Sequence, residues 1–175
     1  MIQIERELAM CSIRRSKPTR RRDDARQGAA AAEFAIMMPV FLMLVLGTWE
    51  MGTALTAGTK MAAAVREGGR LASMDFEQSL APGQTANAKV EEDIKNFLTA
   101  SGISGDAVTV TITHASGGSA GSTFDLQDPD NYLELFEITV SAEYESIGSF
   151  PLEYMAGETL QESMVFRMGR VALSN

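Results

Sequence analysis

The sequence is nearly devoid of the residues that build disulfides, zinc sites and thiol-based catalysis. Cys11 is the single cysteine and His114 the single histidine among 175 residues. One cysteine cannot form an intramolecular disulfide, and one imidazole cannot build a conventional zinc site. No glycine-rich phosphate loop, paired-carboxylate motif or nucleophile elbow accompanies them. These absences predict a protein that is not an enzyme and that uses no cofactor and no metal.

Calcium is the one metal for which the chain has candidate ligands. Asp125, Asp128, Asp130 and Asn131 place oxygen atoms close together in the sequence. Their spacing misses the calcium-loop pattern, and aspartate, proline and asparagine are also ordinary turn residues, so a turn is favoured. We expect His114, among threonines, to lie at a solvated strand end.

Long hydrophobic runs are also scarce, and only one is long enough to cross a membrane. From Ala29 to Trp49 the chain is apolar except for Glu33 and one threonine. About 21 residues at a rise of 1.5 Å cover roughly the 30 Å of a bilayer core. The run predicts one transmembrane helix at residues 29–50, in which Pro39 is tolerated.

Charge of one sign is in excess on each side of this run, basic before it and acidic after it. Residues 1–28 contain eight Lys or Arg and four acids, whereas the remainder contains seven basic and nineteen acidic residues. Basic flanks resist translocation, so we expect residues 1–28 to form a cytoplasmic leader and residues 51–175 an extracytoplasmic domain. An acidic domain is not expected to bind nucleic acid.

The hydrophobic period predicts helices first and strands later. The long helix continues beyond the span to Ala72, where Gly68 and Gly69 either permit close helix approach or mark a break. A second helix is predicted from Ala86 to Thr99 and is closed by Ser101-Gly102. The residues expected on the apolar faces of the two helices are Leu55, Ala62, Val65 and Ala72, and Val90, Ile94, Phe97 and Leu98.

Three segments then alternate with a period of two, as strands do. They are residues 107–113, the Phe136–Tyr144 run with Leu133 and Leu135 before it, and, less regularly, Glu162–Leu173. We therefore expect an α+β fold: a long N-terminal helix, a second helix, and an antiparallel sheet of about three strands packed on helix.

Glu33 stands where a membrane helix is normally free of charge, and its neighbours are informative. Gly28 is followed by four alanines, then Glu33-Phe34 and the apolar run with its proline. This order resembles the prepilin processing signature of type IV pilin-like proteins. The wider stretch, with the REGGR element at residues 66–70, is similar to TadE-like proteins of the tight-adherence (Tad/Flp) pilus systems, in which an acid just after the span also recurs.

The resemblance implies a minor pilin or pseudopilin with a pilin-like fold. Gly28 and Ala29 would flank the bond cut by a prepilin peptidase, and Glu33 with Phe34 would serve subunit recognition. The implied partners are the bacterial inner membrane, the peptidase, other minor pilins and the Tad assembly components. The C-terminal domain would be periplasmic or part of the pilus.

Two alternatives to this interpretation remain open at the level of sequence, and so does the role of the charged residues at positions 66–70. Glu33 is also compatible with the interfacial acid of an uncleaved signal anchor, which would carry an extracytoplasmic binding module. A cleavable secretory signal is a poorer fit because the apolar run is too long. Arg66, Glu67 and Arg70 are either a solvated helix face or a contact with an acidic partner.

Overall fold

The computed structural model describes residues 20–73, 80–147, 155 and 157–169, with side chains from Arg26 onward. Most of the predicted leader and the last residues of the predicted third strand lie outside this range. Contacts divide the chain into two units, residues 1–44 and 45–175.

Helix α1 spans Arg20–Ala72, continues through Pro39, and confirms the prediction of a long N-terminal helix. In the first unit its apolar side chains are not covered by protein, and Phe34 is 64% exposed. Among the described residues this is the one helix that is long and apolar enough to cross a membrane.

In the second unit, α1 contributes one buried stripe to the core. Its members recur at the three- and four-residue spacings of one helix face. They are Ala54, Ala57, Met61, Ala64, Val65 and Ala72. The prediction was right for Val65 and Ala72 but wrong for Leu55, which is 65% exposed. Leu55 lies about a third of a turn away from the face centred on Met61, because residues advance by about 100° each.

Helix α2 spans Ala86–Ala100 and is capped at both ends. Its closure at Ser101-Gly102 was predicted from the sequence. The Thr85 hydroxyl accepts a hydrogen bond from the Ala88 N–H at 3.2 Å. Gly102, at φ +85°, lets the Ile103 N–H reach back to the Leu98 carbonyl at 2.9 Å, which closes the last turn. Val90, Ile94 and Leu98 are buried as expected, whereas Phe97 is 37% exposed, so the prediction was wrong for Phe97.

Three antiparallel strands form one sheet in the order β1-β2-β3. Strand β1 spans Val108–His114, β2 spans Leu135–Glu143 and β3 spans Thr159–Arg167. A short helix α3, Tyr144–Ile147, follows β2 directly. The strands confirm the predicted α+β fold, although Leu133 lies outside β2 because its φ of +64° does not continue an extended strand.

Alternation gives the sheet one inward face, which packs on the helices. The inward residues of β1 and β2 are buried, whereas Leu160, Met164 and Phe166 of β3 are only partly buried. Phe136 on β2 lies between the Phe124 and Phe166 rings, with centroids 5.2 and 5.7 Å away. The His114 ring packs on the Phe124 ring with 4.7 Å between centroids, and the His114 side chain is 13% exposed. The expectation that His114 lies at a solvated strand end was therefore wrong.

Candidate functional site

The segment Gly28–Phe34 is helical and fully open in the described part of the chain. Gly28 lies inside α1, and a Cβ placed on it would meet no atom within 4 Å. Ala29, Glu33 and Phe34 are exposed. No ion pair among the described residues involves Glu33. This segment therefore presents a glycine, an acid and an aromatic ring that the first unit does not use for its own packing.

Ala29 and Glu33 are four residues apart on this helix, so their side chains lie on one face about one turn apart. Ala29 directly follows Gly28 in the chain. A new chain end at Ala29 would therefore place an α-ammonium on the same face as the Glu33 carboxylate.

Glu50 is a buried acid in the second unit, and no pattern in the sequence predicts its burial. It is 4% exposed, and its Oε1 accepts a hydrogen bond from the Met155 N–H at 3.3 Å. Its backbone carbonyl accepts another from the Tyr144 hydroxyl at 3.3 Å. Glu50 thus connects α1 to both ends of the connection between β2 and β3. Its Oε2 is buried and has no hydrogen-bond partner in the described structure.

Burial raises the pKa of the Tyr144 hydroxyl above its ordinary value of 10, and the Glu50 charge adds to the shift. The two effects are distinct: burial deprives the phenolate of solvation, and the Glu50 carboxylate repels its negative charge. The phenol therefore remains a hydrogen-bond donor to α1 at any physiological pH.

The three charged residues of the REGGR element do not form one cluster. Glu67 and Arg70 pair through two hydrogen bonds, of which Nε to Oε2 measures 3.0 Å, whereas Arg66 points to solvent. The hydrogen bonds from Arg70 lower the pKa of Glu67, and the same bonds raise the pKa of Arg70. Both groups are exposed, so this pair is expected to add little to stability.

The two glycines of REGGR are buried packing positions, and α1 does not break at either of them. A Cβ on Gly68 would lie 2.4 Å from Cδ1 of Ile94 in α2. A Cβ on Gly69 would lie 2.2 Å from the ring of Phe166 in β3. Of the two interpretations of this pair, close approach is therefore correct: adjacent glycines let α1 contact α2 and the sheet at one level.

The acidic loop before β2 makes turns and holds no metal cluster among the described residues. Asp125 Oδ1 accepts from the Gln127 N–H at 2.8 Å, and Asp128 Oδ1 accepts from the Asp130 N–H at 2.9 Å. The Asn131 amide donates to the Asp125 carbonyl at 2.9 Å. These are the local hydrogen bonds that turn residues make.

Comparison with known families now bears on this geometry. The sequence model of the TadE-like protein family matches residues 28–70. This segment is TadE-like. No curated protein and no solved structure matches the chain. The match confirms, over these residues, the resemblance drawn from the sequence.

The TadE-like segment begins at Gly28 and ends at Arg70. Contacts within the protein account for residues in its second half but not for those near its start. In the second unit, Glu50, Gly68 and Gly69 each have a packing or hydrogen-bonding role. Gly28 and Glu33 have none among the described residues. Gly28 shares its open surroundings with Gly47 and Gly52 of the same helix. Its place at the start of the TadE-like match distinguishes it from them.

Proposed function

We propose that this protein is a minor pilin or pseudopilin of a Tad/Flp-type adhesive pilus, cut after Gly28 by a prepilin peptidase. The observation that carries the proposal is the TadE-like segment starting at Gly28, a helical glycine with open space around it. A peptidase needs an accessible and unwound bond, and glycine is the residue that lowers the cost of unwinding a helix there.

Cleavage gives Glu33 a partner. The freed α-ammonium of Ala29 and the Glu33 carboxylate of a neighbouring subunit can neutralise each other within the same leaflet of the membrane. An unpaired carboxylate in hydrocarbon costs a few kcal/mol, so mismatched subunits are disfavoured. The function is therefore carried by packing, and the covalent chemistry belongs to the peptidase.

The proposed topology follows from the charges and the apolar run. Residues 1–28 form a basic cytoplasmic leader, residues 29–50 cross the inner membrane, and residues 51–175 form a periplasmic domain that meets other minor pilins and Tad assembly components. The 147 residues after Gly28 greatly exceed the size of a helix-only major subunit. This size favours a minor pilin over the main subunit of the filament.

Complementation of a strain that lacks this protein tests the assembly role. We expect the wild-type gene to restore surface pili, and Glu33→Ala to be cleaved yet restore few, because its freed amine lacks a partner. Asp106→Ala is the control, since it removes an exposed acid from the second unit. Full restoration of pili by Glu33→Ala would contradict the proposed role of this acid.

A further inference from the structure

The outer edge of β3 is the open side of the sheet. β3 pairs with β2 along its whole length on one side, and no strand among the described residues pairs with its other side. The opposite edge of the sheet is better covered. There Thr113 bridges to Thr123, and the Phe124 N–H donates to the Ile112 carbonyl at 3.0 Å. Within the described residues, β3 is therefore the strand that presents nine residues of unpaired edge.

The apolar layer of the core continues past this edge. Leu160 and Met164 face inward from β3 but remain partly exposed, and Met51 and Leu55 of α1 are exposed as well. Met51 and Leu55 lie seven and three residues before Gly58, on the same flank of α1. A Cβ on Gly58 would lie 3.3 Å from Oε1 of Glu162, so this flank faces β3. We call these four side chains and the free backbone of β3 the β3 edge surface.

Glu162 is the one charged residue that points inward from β3. It is partly buried and has no hydrogen bond or ion pair among the described residues. An inward-pointing charge on an edge strand opposes pairing with strands that offer no counter-charge. It also favours a strand that brings a cation to the same position.

A second copy of this chain is poorly suited to the β3 edge surface. Antiparallel pairing of two β3 strands centred on Glu162 would place the two carboxylates directly opposite each other, and centring on Ser163 would place them diagonally. The separations are about 5 Å and about 7–8 Å in these registers. The excess of acids after Gly28 adds repulsion between copies.

We infer that the β3 edge surface binds an extended strand of a different protein, which carries alternating apolar side chains and a Lys or Arg opposite Glu162. Backbone hydrogen bonds to β3 provide affinity, and the apolar side chains of the added strand cover Leu160, Met164 and the α1 flank. The cation pairs with Glu162 and distinguishes this partner from a second copy. The inference does not depend on cleavage after Gly28.

Two synthetic peptides test the inference on the full-length protein in detergent micelles. Each is nine residues long, as β3 is, and alternates valine with threonine. One has a lysine and the other a glutamate at its central inward position. Fluorescence anisotropy gives the Kd of each labelled peptide, and amide hydrogen exchange shows where it binds.

We expect the lysine peptide to slow exchange in residues 159–167 and to bind about five- to tenfold more tightly than the glutamate peptide. Glu162→Lys should reverse this preference, and Glu162→Gln, which preserves the shape of the side chain, should abolish it. Glu145→Lys is the matched control, since it reverses an exposed charge on α3 and should leave the preference unchanged.

Three results would overturn the inference. The first is that neither peptide slows exchange in β3. The second is that the wild-type protein binds both peptides with equal Kd. The third is that exchange in β3 slows without peptide as the protein concentration rises, because a second copy would then be the occupant.

Discussion

Replacing Gly68 by alanine measures how closely α1 and α2 approach each other. At an open helical position, Gly→Ala stabilises a protein by about 1 kcal/mol, because glycine is the poorer helix former. At Gly68 the new Cβ would lie 2.4 Å from Cδ1 and 2.6 Å from Cγ1 of Ile94, whose side chain is 1% exposed. Overpacking of this kind costs about 1–3 kcal/mol.

The matched control is Gly52→Ala, since Gly52 lies in the same helix and has nothing within 4 Å of its Cβ position. We expect Gly52→Ala to be stabilised by up to about 1 kcal/mol and Gly68→Ala to be about 1–3 kcal/mol less stable than this control. For a chain of 175 residues each kcal/mol shifts Tm by about 2–4 °C. Thermal unfolding of the purified protein in detergent, followed by near-ultraviolet circular dichroism, resolves such a difference.

A substitution of Ile94 shows whether contact with this side chain causes the loss of stability in Gly68→Ala. Ile94→Ala alone should cost about 2–5 kcal/mol, because it opens a cavity in the core. Adding Gly68→Ala to Ile94→Ala should then be stabilising, since the new methyl group occupies vacated space. Equal Tm shifts for Gly52→Ala and Gly68→Ala, or strict additivity of the two core substitutions, would refute the close approach at Gly68.

Three further predictions concern the second unit. The Asn87 side-chain amide donates to the Phe124 carbonyl at 2.6 Å and accepts from the Leu126 N–H at 2.9 Å. Asn87→Ala leaves both groups unpaired and should lower the free energy of chemical unfolding by about 1–3 kcal/mol. Gly102→Ala should lower stability by about 1–2 kcal/mol because of its φ of +85°, whereas Gly118→Ala, with no positive φ, should not. Because the pKa of Tyr144 is raised above 10 in the folded state, its contribution to stability is complete below about pH 10 and is lost as pH rises through the folded-state pKa. Tyr144→Phe should therefore flatten the pH profile of Tm in that range.

Periodicity predicted most of the second unit because its elements are regular and its inward faces are apolar. The three-strand sheet and the buried Val90, Ile94 and Leu98 follow from periods of 2 and 3.6. The buried stripe of α1 was harder to predict, because apart from Met61 and Val65 it is built from alanines, while the larger Leu55 lies outside. Hydrophobicity ranks Leu55 above Ala54 and Ala57, but Leu55 lies about a third of a turn away from the face centred on Met61.

Other features depend on contacts between distant parts of the chain, which no local pattern reveals. Glu50 is buried because Tyr144 and Met155, about a hundred residues away, meet it, and an isolated acid in the sequence predicts exposure. For the proposed roles of Gly28 and Glu33, the sequence was more informative than the contacts. Their spacing was informative in the sequence, whereas the described structure of the chain alone assigns them no packing role.

Intact-mass spectrometry of the membrane-purified protein tests the central claim most directly. The protein is expressed with and without a prepilin peptidase, beside a Gly28→Val variant. We predict a mature chain that begins at Ala29, appears only with the peptidase and is absent in Gly28→Val. A full-length mass under all three conditions would contradict the account and favour an uncleaved, signal-anchored binding protein.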